Sequence, residues 1–349
     1  MRAAVLHAPG DLRVEDIAVP AVADGEVLVR VAAAGICGSD IGRVMVTGTY
    51  RFPTIPGHEF SGVVEATGAG VDNVAVGDRV AVAPLIPCGR CDQCAGGNYS
   101  LCDDYDFLGS RSHGAFAEYL RAPARNALKV PDHVSLEVAA TIEPAAIVLH
   151  GIRKVHLALG DAVAVIGCGA LGCFALQFAR LSGAGPLIAV DVDDGKLALA
   201  RRIGADVCIN PAREDAVASV RAATGGRGVK LALEAAGSDQ GRDVAILACA
   251  KQGSIVLYGT AYGDVTFSGA AFDKLVREEL RIIGSWNSYS VPFPGREWLD
   301  ILRLLETGRL EVEPLISHRA SLDEAPDLFR ELKARTFGPY HKILFKPNG

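Results

Sequence analysis

No block of lysine or arginine occurs in this sequence: 35 basic residues are spread among 349, against 41 acidic ones, for a net charge of −6. Nucleic acids and anionic membranes are met by a concentrated basic face. Neither is expected as a partner, and a small solute is. No run approaches the ~18 consecutive apolar residues that a membrane-spanning helix needs. The opening stretch MRAAVLHAPGDLRVEDIAVP lacks the long apolar run and small-residue cleavage site of a secretory signal. The expected compartment is therefore the cytoplasm. Internal repeats and low-complexity tracts are missing as well, which excludes solenoids and arrays.

What is present is a large apolar inventory. Hydrophobic residues make up 50% of the chain, enough for a sizeable core. A single core rarely grows past roughly 250–300 residues, so two domains are expected. The 39 glycines suit tight strand–helix turns, where positive φ is needed.

Up to about Ala145 the chain reads as short apolar runs (EVLVRVAAAG, GVVEATG, RVAVAP, AEYLRAP) broken by Gly, Pro and Asp. That is the pattern of a β-rich domain with long loops. From Asp161 strands alternate with helices. Strands are expected at Ala162–Ile166, Leu187–Asp191, Val207–Ile209, Lys230–Glu234, Ser254–Tyr258 and Arg281–Gly284. Helices are expected at Ala170–Ser182, Gly195–Ile203, Glu214–Ala223 and Gln240–Ala250. Continuous apolar strands alternating with helices predict an α/β fold, a doubly wound parallel sheet covered on both faces. After about Ser285 the rhythm stops. Helices at Trp298–Glu306 and Leu322–Arg335, the second with a Ser321/Glu324 capping box, and a strand at Lys342–Phe345 read as a return to the first domain. The division is then 1–148 with 286–349, and 149–285.

Gly167-Cys168-Gly169-Ala170-Leu171-Gly172 follows the first apolar strand and opens a helix. Gly167 suits the tight turn, Gly169 a close approach of backbone to pyrophosphate, and Gly172 close helix–sheet packing. The anion sits on the free N–H groups of the helix start, at Ala170 and Leu171. Asp191 ends the next strand about twenty residues on, the place of the acid that binds ribose hydroxyls and repels a 2′-phosphate. NAD is therefore expected over NADP, with Lys196 also on the nucleotide. Asp193 and Asp194 read as helix-start acids.

Cys88, Cys91, Cys94 and Cys102 have the spacing of a closed, structural Zn²⁺ site. Cys168, Cys173, Cys208 and Cys249 lie among apolar residues. Cys37 sits in the loop Cys37-Gly38-Ser39-Asp40, His58 in Gly57-His58-Glu59, and Glu143 inside the apolar stretch AATIEPAAIVLHG. A buried carboxylate needs a partner. Cys, His and a carboxylate would leave one position open on a zinc ion, the catalytic arrangement. Taken singly, each also has an ordinary reading: a small core residue, a turn histidine, a helix cap or an Arg partner.

GHEFSG at 57–62, CGSD at 37–40, the four-cysteine lobe and GCGALG together resemble the zinc-containing medium-chain alcohol/polyol dehydrogenases, across essentially the whole chain. PLIPCGRCDQC, YDFLGSR before GAFAEY, and IGSWNSYSVPFPGREW resemble the branch that handles galactitol 1-phosphate. The resemblance implies a Rossmann domain plus a discontinuous GroES-like catalytic domain. It implies two zinc ions, the catalytic one on Cys37, His58 and Glu143, with Glu59 as alternate. It places Asp40 behind His58, Ser39 as first proton acceptor, and Thr260 near the nicotinamide. A secondary alcohol of a polyol or polyol phosphate would give a hydride to NAD in a homodimer or homotetramer. Many relatives carry a relay His where this chain has Gly42, which leaves the proton's exit to water. Arg43, in a loop, suits a substrate phosphate or a solvated surface. Asn287, Trp286 and Tyr289 are expected along the substrate cleft, with packing preferred for Trp286. An aminocyclitol or other sugar-alcohol dehydrogenase, and a non-catalytic NAD-binding protein, stand as alternatives.

Overall fold

The strand Val163–Ile166 (VAVI) is buried along its whole length. So is Leu187–Val190 beside it. Strands apolar on both sides are stable only when helices cover both faces, and that is what forms. Six parallel strands lie in the order Val207–Ile209, Leu187–Val190, Val163–Ile166, Val229–Glu234, Cys249–Leu257 and Arg281–Gly284. Strand order reverses between Val163–Ile166 and Val229–Glu234, the place where doubly wound sheets bind ligands. This is the computed structural model of the chain, and it describes residues 1–259 and 263–349.

The helices start where side chains can cap them. Asp193, Asp215, Ser238 and Ser268 accept the N–H of Lys196, Ala218, Gly241 and Ala271. The expected helix Gln240–Ala250 instead runs Asp239–Ala248. Cys249 already pairs with Val229, and the strand resumes in register only at Ser254. Gln252, with φ of 56°, sits in the intervening bulge.

The other unit is built on a mixed sheet ordered Ile316–Ala320, Lys342–Phe345, Glu26–Gly35, Glu59–Thr67, Arg79–Val82 and Ala127–Lys129, with Tyr119–Pro123 also on Glu26–Gly35. The strand Ile316–Ala320 carries no clear alternation in sequence and was not expected. Lys342–Phe345 runs antiparallel to Glu26–Gly35. Phe116, Phe329 and Phe345 form an aromatic knot under the sheet, with Phe116 and Phe345 4.9 Å apart. Packing divides the chain into Met1–Ala146 with Ser288–Gly338 and Lys342–Gly349, and Ile147–Asn287 with Pro339–His341. Among the described residues no helix is long and apolar enough to cross a membrane.

Candidate active site

The strand Glu26–Gly35 delivers Cys37 to the start of a short helix, Gly38–Gly42. The segment expected as a loop is helical because Asp40 closes it: its Oδ2 accepts the Cys37 N–H at 3.0 Å. The other oxygen of this buried carboxylate stands 3.2 Å from His58 Nδ1. The contact is an ion-pair approach without hydrogen-bond geometry; a carboxylate on the Nδ1 side leaves Nε2 for a metal. Burial works to lower the His58 pKa, but Asp40 and Cys37 beside it raise it well above the ordinary value. Burial likewise acts to raise Asp40, and His58 and Arg43 hold it below the usual carboxylate range.

Glu59 opens the strand that follows His58. Its Oε2 lies where a Cβ on Gly35 would come within 2.3 Å, so a side chain there would push the Glu59 carboxylate aside. The ligand atoms of Cys37, His58 and Glu59 fall within 4.8 Å of one another. Glu143 is outside that 4.8 Å set, and Glu59 is within it. Glu143 lies in the first turn of the helix Ile142–Arg153, buried, and its Oε2 has no hydrogen-bond partner among the described residues. Burial pushes its pKa up to about 7, with Glu59 and Asp40 adding to the rise and His58 and Lys342 opposing it. An orphaned buried carboxylate beside Cys, His and a second carboxylate fits a divalent cation of Zn²⁺ character.

The four cysteines of the lobe also converge. Cys88 and Cys94 Sγ are 4.0 Å apart, and Cys91 and Cys102 Sγ 3.9 Å. Four thiolates at ~2.3 Å from one tetrahedral zinc would stand about 3.8 Å from each other. Backbone N–H groups of Cys88, Arg90 and Cys94 point at Cys102, Cys88 and Cys91 sulfurs. The Arg90 N–H helps to pull Cys88 down to about 6, whereas burial pushes Cys94 up to about 12. Charging all four together needs a cation among them.

In the parallel unit, Gly167 has φ of 92°, and a Cβ there would meet Ala236 N at 2.6 Å. A Cβ on Gly172 would come 2.0 Å from Gly167 O, whereas one on Gly169 would meet nothing within 4 Å. The turn is thus closed on the protein side and open at Gly169, beside the helix Ala170–Leu181 whose first N–H groups lack side-chain caps. Asp191 ties this turn together: it accepts the Cys168 N–H at 2.7 Å and the Asp193 N–H at 2.9 Å. Lys196 lies in the first turn of the next helix.

Residues 23–132 match the alcohol dehydrogenase GroES-like domain, and residues 170–307 match the zinc-binding dehydrogenase family. The chain is 38% identical to galactitol 1-phosphate 5-dehydrogenase of Escherichia coli K12, over 99% of this chain and 100% of the relative. The crystal structure of the galactitol-1-phosphate dehydrogenase from Escherichia coli superposes with a TM-score of 0.92, covering 99% of this chain and 100% of that one. The chain belongs to the zinc-binding dehydrogenases. D-arabitol-phosphate dehydrogenase of Enterococcus avium is 33% identical over 100% of this chain and 98% of its own. A zinc-binding dehydrogenase from Sinorhizobium meliloti, solved with NADP, is 31% identical with a TM-score of 0.91 over 99% of both chains. The protein is therefore an oxidoreductase that uses zinc and a nicotinamide cofactor.

Other expected residues of this dehydrogenase fall as follows. Arg43 belongs to a tight helical turn, Arg43–Thr47, rather than a loop, and its Nη1 donates to Ser39 Oγ at 2.9 Å. Asn287 is buried, with φ of 53° and an unpartnered Nδ2 among the described residues. Trp286, expected to pack, is 55% exposed. Tyr289 is the buried one, stacked on Trp298 at 5.8 Å. Thr260 lies outside the described residues. Sequence reasoning missed Lys342, whose buried Nζ lies 2.6 Å from Glu59 Oε2 and 3.1 Å from Ile36 O. Its signal was a lysine opening the apolar strand KILF.

Proposed function

We propose that this dehydrogenase transfers a hydride from a secondary alcohol of a polyol or polyol phosphate to NAD, and runs the reverse reduction of the ketone. The observation that carries the reading is the gathering of Cys37, His58 and Glu59 ligand atoms within 4.8 Å, beside buried Glu143, in a chain related end to end to a galactitol 1-phosphate 5-dehydrogenase.

Zinc held by Cys37, His58 and either Glu143 or Glu59 supplies the Lewis acidity that lowers the pKa of a substrate hydroxyl. A second zinc, on Cys88, Cys91, Cys94 and Cys102, holds the lobe. Asp40 keeps His58 in the tautomer that ligates. Ser39 takes the substrate proton. Its Oγ already accepts from Arg43, and the adjacent guanidinium disfavours positive charge on Oγ, so as Oγ takes the substrate proton its own hydroxyl proton passes to water. Gly42 has no side chain for the next step, and water takes that place. Arg43 and Asn287 contact substrate.

NAD supplies the hydride acceptor. Gly167, Gly169 and Gly172 shape the pyrophosphate turn with the N–H groups of Ala170 and Leu171, and Asp191 takes the ribose hydroxyls with Lys196 nearby. Each Asp191 oxygen accepts one backbone N–H and keeps a further lone pair for a ribose hydroxyl. The carboxylate repels a 2′-phosphate, which favours NAD over NADP. A cytoplasmic homodimer or homotetramer completes the proposal, supported by family resemblance alone; light scattering tests the assembly.

The test is a screen of NAD reduction over polyols and polyol phosphates, with and without a chelator. Chelator-sensitive oxidation of a secondary polyol alcohol supports the reading. Activity on primary alcohols alone, or activity indifferent to metal removal, overturns it.

A further inference from the structure

Arg111 is held in the turn that follows Phe107, and its guanidinium has no hydrogen-bond or ion-pair partner among the described residues. Its Cζ lies 4.1 Å from the ring centroid of Tyr50 and 4.4 Å from that of Tyr105. Ring faces attract the flat faces of a guanidinium. They leave its in-plane N–H donors, five in all, without acceptors. Nε is buried with no hydrogen-bond partner, and no carboxylate lies within ion-pair distance of the side chain among the described residues. Arg111 is half-buried, and only its Nε is closed off from water, so its terminal N–H groups stay open to an incoming acceptor. Arg43 differs: it already binds Ser39 Oγ at 2.9 Å and lies 3.8 Å from Asp40.

The turn is built to hold Arg111 at a fixed place relative to His58. The N–H groups of Ser110, Arg111 and Ser112 all donate to Phe107 O, at 3.2, 2.9 and 3.2 Å. The Phe107 ring lies 5.7 Å from the His58 imidazole and 6.4 Å from Tyr105. Gly109 presses on the segment before His58 so closely that a Cβ would meet Gly57 O at 2.5 Å. Tyr50 is laced to the same turn, its N–H donating to Ser110 O at 3.3 Å. Next to the turn, burial, with the charges of Arg51 and Arg121 adding to it, holds His113 below its ordinary pKa.

We infer that Arg111 is the receptor for the substrate's phosphate: a guanidinium pinned by Tyr50 and Tyr105, with its N–H edge left for a phosphate monoester at the far end of the polyol. Arg–phosphate pairs are commonly bidentate, and the planar fork matches two oxygens at once. The inference rests on the polyol reading above and narrows it to phosphorylated polyols.

The experiment compares wild type, Arg111→Ala, Arg111→Lys and Tyr105→Leu, each with its own metal. It measures kcat and KM for galactitol 1-phosphate and for galactitol. It also measures binding of inorganic phosphate by calorimetry. Arg111→Ala is expected to reduce the ratio of kcat/KM, phosphorylated over free, by about 100-fold, mainly through KM. Arg111→Lys should recover part of that ratio, because it restores charge without the fork, and Tyr105→Leu should lower it several-fold. Equal losses on both substrates, an unchanged ratio, or a wild type that does not prefer the phosphorylated polyol would each overturn the assignment. If neither polyol is oxidised, the polyol reading fails and calorimetry judges Arg111 alone. Phosphate binding lost in Arg111→Ala then supports the receptor, and binding retained overturns it. Should Arg111→Ala not fold, Arg111→Lys and Tyr105→Leu decide by the same ratio.

Discussion

Lys342 Nζ lies 2.6 Å from Glu59 Oε2, and both side chains are buried, 6% and 1% exposed. The two residues are 283 positions apart. Burial acts to lower the lysine pKa, and the neighbouring Glu59 and Cys37 raise it. The ammonium therefore stays charged and balances a carboxylate that stands within metal-binding distance of Cys37 and His58.

Removing one member of a buried pair leaves the other charge stranded, which costs about 3–5 kcal/mol. Lys342→Met is expected to destabilise the metal-depleted protein by about that much in urea unfolding. Lys342→Met combined with Glu59→Gln should lose less than the two single changes added together. Additive losses would mean that the pair is not coupled.

The four-cysteine lobe has a separate signature. Cys94→Ser should lower the zinc content by one equivalent per chain, read by elemental analysis, and lower the melting temperature. Cys37→Ser should also remove one equivalent, from the other site. A Cys94→Ser protein with unchanged zinc would refute the closed four-thiolate site.

Asp191 holds the Gly-rich turn as well as the expected ribose contact. Asp191→Ala should raise KM for NAD roughly 10–100-fold, the range for a lost hydrogen bond to a charged group. It should narrow the NAD/NADP discrimination and reduce stability, since the Cys168 and Asp193 N–H groups lose their acceptor. Kinetics unchanged with both cofactors would remove Asp191 from the site.

Glu137 makes an acid-sensitive clasp. It binds Arg319 Nε at 2.7 Å and Lys346 Nζ at 2.7 Å, joining the helix Leu136–Ala139 to the C-terminal strands. Burial acts to raise its pKa, but Lys346 and Arg319 hold it below the ordinary 4.5. A carboxylate depressed in the folded state contributes stability above its unfolded pKa and loses it as pH falls through the folded value. Wild type should therefore lose stability faster than Glu137→Gln on going from about pH 5 to pH 3. Equal slopes in denaturant titrations across that window would exclude the clasp.

The parts of the protein legible in sequence are those in which neighbours in the chain are neighbours in space. Gly167–Gly172 carries its turn and helix start within six residues, and the strands around it announce their burial by unbroken apolar runs. Cys88, Cys91 and Cys94 are near each other in any fold that wraps one loop. The strand Ile316–Ala320 was less legible, because its inward positions are Ile316, His318 and Ala320, and a half-buried histidine breaks the apolar alternation in sequence. The end of the helix at Ala248 was missed because the pairing of Cys249 with Val229 overrode local helical pattern.

By itself the sequence determined the α/β rhythm, the Gly-rich turn, the cysteine spacing and the presence of Cys, His and two acids able to meet at a metal. Tertiary structure brought Glu59 within 4.8 Å of Cys37 and His58 and set Lys342 against it. It also engaged Arg43 with Ser39 while leaving Arg111 between two tyrosines, its donors unpartnered among the described residues. These outcomes depend on which strands lie side by side. That is set by the packing of the whole core rather than by any local pattern, because contacts between distant residues form only when the elements carrying them are buried together.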